Sequence, residues 1–133
     1  MTGSHTAEHP SGGVTASAVS NGVVRLLREY TGRGPTRART HLNDDLVTVV
    51  LEDTLTKGER SLVADGETAL VLQARQAYQR TMKSDLIDLV EQATGRKVRA
   101  FLSANNVDPD VAVESFVLEP SATASVSQDG YSD

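Results

Sequence analysis

The fold turns on residues 36–52, TRARTHLNDDLVTVVLE. Their Thr, Val and Leu side chains favour extended backbone, and Asn43-Asp44 supplies a polar turn between two β-prone runs. The pattern predicts a hairpin with strands over residues 36–42 and 45–52. Upstream, Val19, Val23, Leu26, Leu27 and Tyr30 recur at helical spacing, and Gly32 follows where a left-handed C-terminal residue is wanted. A helix is therefore expected over residues 17–31, and Pro35 bars its continuation into the strand.

Downstream, a short helix is expected over residues 56–64, interrupted at Asp65-Gly66. From Glu67 to Ala93 there is neither Gly nor Pro, and Leu70, Ala74, Ala77, Tyr78, Met82, Leu86, Leu89, Val90 and Ala93 mark an apolar stripe. Gly95 supplies the stop, with Arg96 and Lys97 adding favourable charge at the helix end. Such a helix is about 40 Å long at 1.5 Å per residue. Two more strands, residues 97–104 and 111–118, flank a turn carrying Asn106, Asp108 and Asp110. The order α-β-β-α-α-β-β predicts an α+β domain, a four-stranded antiparallel sheet with helices on one face.

The chain of 133 residues accommodates one such domain, residues 17–120, between polar tails at 1–16 and 121–133 that are expected to be disordered. The absence of cysteine excludes thiol catalysis, cysteine-ligated zinc and iron–sulfur clusters. Residues 46–51, LVTVVL, fall far short of the roughly 20 residues that cross a bilayer. The first residues lack the basic start and apolar core of a secretory signal. A cytoplasmic protein without direct membrane insertion is expected. A net charge of −5 and a pI near 5.1 argue against a nucleic-acid partner, because such proteins neutralise phosphates with Lys and Arg.

The charge is uneven, since Arg25, Arg28, Arg33, Arg37 and Arg39 face only Glu29 between residues 25 and 41. With Asn43-Asp44 as the turn, Ala38 opposes Val49, and Ala38, Thr40, Leu42, Val47, Val49 and Leu51 share a face. Val98, Ala100, Leu102, Val111, Val113 and Val117 are expected to continue it beneath the helices. The opposite face then holds Arg37, Arg39, His41 and Arg99 with Leu46, Val50, Phe101, Phe116 and Leu118, and the acids Glu52 and Glu114. A solvated face seldom carries so many large apolar residues, so a second subunit or the long helix is expected to cover it.

Two readings of the arginines stay open. In the first, the chain is a homodimer, and Arg37 and Arg39 pair with Glu52 or Glu114 across the contact. In the second, Arg33, Arg37 and Arg39 hold a small anion together with the free amides of Gly32 and Gly34, because guanidinium offers a charged fork of donors and glycine allows close approach. His41, Asn43, Asp44 and Asp45 offer metal ligands, as do His5 and His9 in the first tail. A hairpin turn and a solvated tail account for them, so neither a metal nor another cofactor is expected. Asp108 and Asp110 have no second polar cluster to work with, so no catalytic residue is assigned and an enzyme is not expected.

Across residues 20–120, the stretches GRGP-x-x-AR, LNDDL and AFLS-x-N-x-x-DPD-x-AVE-x-FVLEP resemble the MpsC family, small bacterial proteins once classed as a domain of unknown function. The resemblance implies association with a sodium-translocating, membrane-potential-generating system. Partners in such systems resemble an ion-transporting membrane subunit and a cytosolic subunit linked to inorganic carbon uptake. What it implies here is a soluble accessory or regulatory component; it transfers no catalytic residues. The alternative is a module sensing a small anion or nucleotide in signalling or stress responses.

Overall fold

The computed structural model describes residues 12–120. Its elements are α1 (Gly12–Thr31), β1 (Arg37–Asn43), β2 (Leu46–Glu52), α2 (Lys57–Ala64), α3 (Thr68–Thr94), β3 (Val98–Val107) and β4 (Asp110–Leu118). The order is the expected α-β-β-α-α-β-β, and the four strands form one antiparallel sheet in the order β1-β2-β4-β3. The helices pack on one face of it. The two hairpins thus meet through β2 and β4, leaving β1 and β3 as edges.

Local chemistry explains the boundaries. Gly32 adopts φ 80° and donates its N–H to the Arg28 carbonyl at 2.9 Å, closing α1 in the left-handed conformation that glycine adopts without a Cβ penalty. Thr56 and Glu59 form a reciprocal capping box at the start of α2, with each side chain accepting from the other's backbone N–H. Gly95, at φ 70°, ends α3 in the same way as Gly32 ends α1. Helix α1 starts five residues earlier than expected, and Thr15 is already buried. The remaining tail residues, His5 and His9 among them, lie outside the described residues, as do residues 121–133.

The first hairpin turns at Asp44-Asp45 rather than Asn43-Asp44, pairing Leu42 with Val47 and Ala38 with Leu51. Asp44 takes the positive φ, 53°. Because the slip displaces each partner by two residues, the faces are unchanged. The second hairpin is inverted relative to the expectation. Its helix-covered side carries Ala112, Glu114, Phe116 and Leu118, while Ala100, Leu102, Val111, Val113 and Val117 face the other way. Pairing of β2 with β4 sets this, by placing Phe116 opposite buried Val47 and Glu114 opposite buried Val49. A register shift between Val98 and Ala100 lets Val98 pack on the core while Leu102 lies 57% exposed. Strand β3 also runs three residues beyond its expected end, narrowing the turn to Asp108-Pro109, whose peptide bond is cis.

The core lies between this sheet face and two helices. Val19, Val23 and Leu27 of α1 and Met82, Leu86 and Val90 of α3 cover Val47, Val49, Leu51, Ala112, Phe116 and Leu118. Phe101 and Phe116 stack as a tilted pair with centroids 5.1 Å apart. The expected stripe on α3 holds from Met82 onward but not before. Leu70, Ala74, Ala77 and Tyr78 are exposed, and Val71 and Arg75 are buried in their place. Residues 71, 75, 82, 86 and 90 form one nearly straight seam, from which Leu70, Ala74 and Ala77 diverge.

Helices α1 and α3 approach closely at Gly22, where an added Cβ would lie 2.3 Å from Leu89 Cδ1. Gly22→Ala, which in an exposed helix would gain about 1 kcal/mol, is therefore expected to destabilise the protein by about 1–3 kcal/mol as Leu89 is displaced. Urea unfolding of the two proteins measures the sign.

Candidate functional site

The structure divides the arginine segment into two parts. Arg33 belongs to a clasp: its Nη2 meets Asp53 Oδ2 at 2.7 Å and donates to the Asp53 carbonyl at 3.1 Å, while Nε donates to the Leu55 carbonyl at 3.0 Å. Arg60 Nη1 adds a second contact to the Asp53 carboxylate at 3.0 Å. The Arg33 hydrogen bond, supported by the charges of Arg33 and Arg60, holds the Asp53 carboxyl below its ordinary value. The Gly32 amide is already committed to Arg28, and Gly34 lies against the Arg28 and Val24 side chains. Residues 32–34 thus strap the entrance of β1 to the loop after β2.

Arg37 and Arg39 instead lie exposed on the open face of the sheet. Arg39 Nη2 reaches Glu52 Oε2 at 3.9 Å across the hairpin, within the same chain. Glu114, the other acid considered for a subunit contact, lies on the opposite, helix-covered face. Beyond its place in the strand ladder opposite Glu52, the Arg37 side chain has no hydrogen-bond or salt-bridge partner among the described residues.

The turn residues also separate. Asn106 Nδ2 donates to the Pro109 carbonyl at 2.7 Å across the turn, and Asp108 is exposed there. Asp110 reaches inward, accepting from the Leu55 amide at 2.9 Å and from the Thr54 hydroxyl at 3.1 Å. His41 is exposed on the open face, and Asp45 pairs with Arg96. Among the described residues, no three His, Asp or Glu side chains gather as a metal site.

Arg75, which the sequence reading passed over, and Glu114, which it placed on the face away from the helices, form the polar centre. Arg75 is 8% exposed, and its guanidinium donates to Asn105 Oδ1 at 3.0 Å, Glu59 Oε1 at 2.9 Å and Thr54 Oγ1 at 2.6 Å. One side chain of α3 therefore ties together β3, α2 and the β2–α2 loop, and through Thr54 it reaches Asp110. Its signal in the sequence is a cation on the seam Val71, Arg75, Met82, Leu86, Val90, where an apolar residue belongs.

Glu114 is 2% exposed in the middle of the covered sheet face, in a row with Thr40, Val49 and Ser103. Gln79 Nε2 lies 3.4 Å from Oε2, whereas Oε1 and the Ser103 hydroxyl have no partner among the described residues. Burial pushes the Glu114 carboxyl up to about 7, against the smaller opposing influences of Ser103, Arg75 and Gln79. A narrow cleft of about 20 Å³, lined by Leu27, Thr31, Leu51, Tyr78 and Met82, leads to it.

Residues 12–120 match the family described as Na+-translocating membrane potential-generating system (MpsC). The chain belongs to the MpsC family. No curated protein and no solved structure matches it. The stretches that carry the MpsC resemblance contain much of this polar structure: Arg33 in GRGP, and Ser103, Asn105, Asp110 and Glu114 in the β3–β4 hairpin. Among the described residues of this MpsC chain, no helix is long and apolar enough to cross a membrane.

The two arginine clusters differ in burial, and so in the consequence of removing the cation. Arg75→Ala takes the counter-cation from the nearly buried Glu59 carboxylate and a donor from each of the Thr54 and Asn105 oxygens, and is expected to cost about 3–5 kcal/mol. Arg33→Ala breaks a partly solvated clasp and is expected to cost about 1 kcal/mol. Parallel urea titrations give the ranking.

Proposed function

We propose that this MpsC chain is a non-spanning, non-catalytic accessory or regulatory component of a membrane ion or bicarbonate transport system, acting in the cytoplasm as a homodimer. The family membership supports the association with a membrane-potential system. The surface that supports an assembly role is the open sheet face. Its four rows across β1, β2, β4 and β3 read Arg37–Glu52–Val111–Asn106, Arg39–Val50–Val113–Ala104, His41–Thr48–Ser115–Leu102 and Asn43–Leu46–Val117–Ala100.

An apolar strip on β2, β4 and β3 is thus bordered along β1 by cations, with Glu52 beside them. This face carries both signs of charge and its own apolar centre, so it is complementary to a second copy turned through a two-fold axis. The second copy is the occupant that its chemistry favours. A transport subunit would then bind elsewhere on the dimer, leaving the paired faces covered.

Leu102→Glu, which places a charge on the strip without touching the core, is expected to weaken dimerisation at least about tenfold, as read by sedimentation equilibrium. In cells lacking the gene, membrane potential and bicarbonate uptake are expected to fall, to be restored by the wild type and to remain low with Leu102→Glu. A deletion that leaves both unchanged overturns the transport reading. Selective stabilisation by bicarbonate, phosphate or a nucleotide that is lost in Arg37→Ala favours the sensing alternative.

A further inference from the structure

Glu114 is an anomaly for a structural carboxylate. The cation nearest to it is Arg75, but the donors of Arg75 go to Asn105, Glu59 and Thr54, and none goes to Glu114. The charge of Arg75 is moreover balanced by Glu59 at 2.9 Å. Among the described residues, the other elements around Glu114 bring no further charge. Leu27 and Thr31 of α1, Val49 and Leu51 of β2, Thr40 of β1 and Ser103 of β3 are neutral, and α3 adds Gln79, Met82 and the phenol of Tyr78.

An ionised carboxylate buried with one oxygen lacking a donor is strongly disfavoured. Adding a proton removes the charge and lets the carboxyl donate; the Ser103 hydroxyl, its direct cross-strand neighbour, favours the ionised form, but by less than burial disfavours it. Exchange with solvent has a route. The cleft holds about one water, given that roughly 10–15 Å³ suffices for one, and Tyr78, 43% exposed, stands in its wall.

We propose that Glu114 is a proton-binding site and that release of its proton loosens the seating of α3 on the sheet. A carboxyl raised to about 7 changes charge within the pH range of a living cell. The ionised form draws water through the cleft or the Arg75 guanidinium toward Oε1, and movement of Arg75 disturbs its contacts to Glu59 of α2 and Thr54 of the β2–α2 loop. The site thus turns pH near neutrality into a change in the packing of α3. This inference rests on the geometry of Glu114 and is independent of the transport reading.

The linkage has a definite sign. The proton binds more tightly in the folded chain than at the ordinary Glu value of 4.5, so its stabilising effect is fully present below 4.5 and is lost as pH rises to about 7. Over that interval the folding equilibrium of the wild type is expected to fall by up to roughly 300-fold relative to Glu114→Gln, which cannot titrate.

The decisive measurement follows the side-chain carboxyl carbon of Glu114 in the wild type by carbon-13 NMR from pH 3 to 9. A midpoint near 7, raised further in Gln79→Leu, supports the site. A midpoint near the ordinary 4.5 overturns it, as do parallel stability profiles for wild type and Glu114→Gln. The wild-type titration decides the question even if the Gln variant fails to fold.

Discussion

The arrangement of this chain depends on one guanidinium taken out of water. Arg75 sits on the buried seam of α3, where its charge is tolerable only because three oxygen acceptors are already in place around it. Each acceptor comes from a different part of the chain, the end of β3, the first turn of α2 and the loop leaving β2. Desolvation makes the contact all-or-none, since a buried cation lacking any of these acceptors is worse than no cation. The same Glu59 oxygen that accepts from Arg75 also accepts from the Thr56 amide, so capping α2 and docking it are one event.

From that centre the helix–sheet interface runs in two characters. Toward the end of α3 it is apolar, with Met82, Leu86 and Val90 over Val47, Phe116 and Leu118. Toward the start of α3 it is polar, with Arg75 and Gln79 above Asn105, Glu114 and Ser103. The apolar end provides most of the burial energy and the polar end sets position, because hydrogen bonds are directional while hydrophobic contacts are not. Glu114 stands where the two meet, close enough to the polar layer to feel Arg75 and too far into the apolar part to be fully satisfied.

The arginine-rich segment illustrates how similar residues within a few positions acquire unrelated tasks. Arg33 precedes the strand and turns toward Asp53, whose positive φ of 61° brings its carbonyl and carboxylate to the same guanidinium. Arg37 and Arg39 come after the chain has entered the sheet, where alternation directs both to the open face. The boundary between loop and strand, rather than the residue type, decides whether each arginine becomes a clasp or a surface charge.

Helix stops at Gly32 and Gly95, the short helix after Thr54, the turns near Asp44 and Pro109, and the element order were all legible in the sequence, because each rests on interactions within a few residues. Membership of the MpsC family was legible too, in the stretches around Arg33 and Asp110. The buried faces of the second hairpin were not. In β4 both alternating sets are largely apolar, Val111, Val113 and Val117 against Ala112, Phe116 and Leu118, and the acid Glu114 lies in the set that is buried. Alternation assigns residues to two faces without saying which one meets the helices. Only the pairing of β4 with β2, the register shift near Arg99 and the acceptors around Arg75 decide that, and all three join residues far apart in the chain.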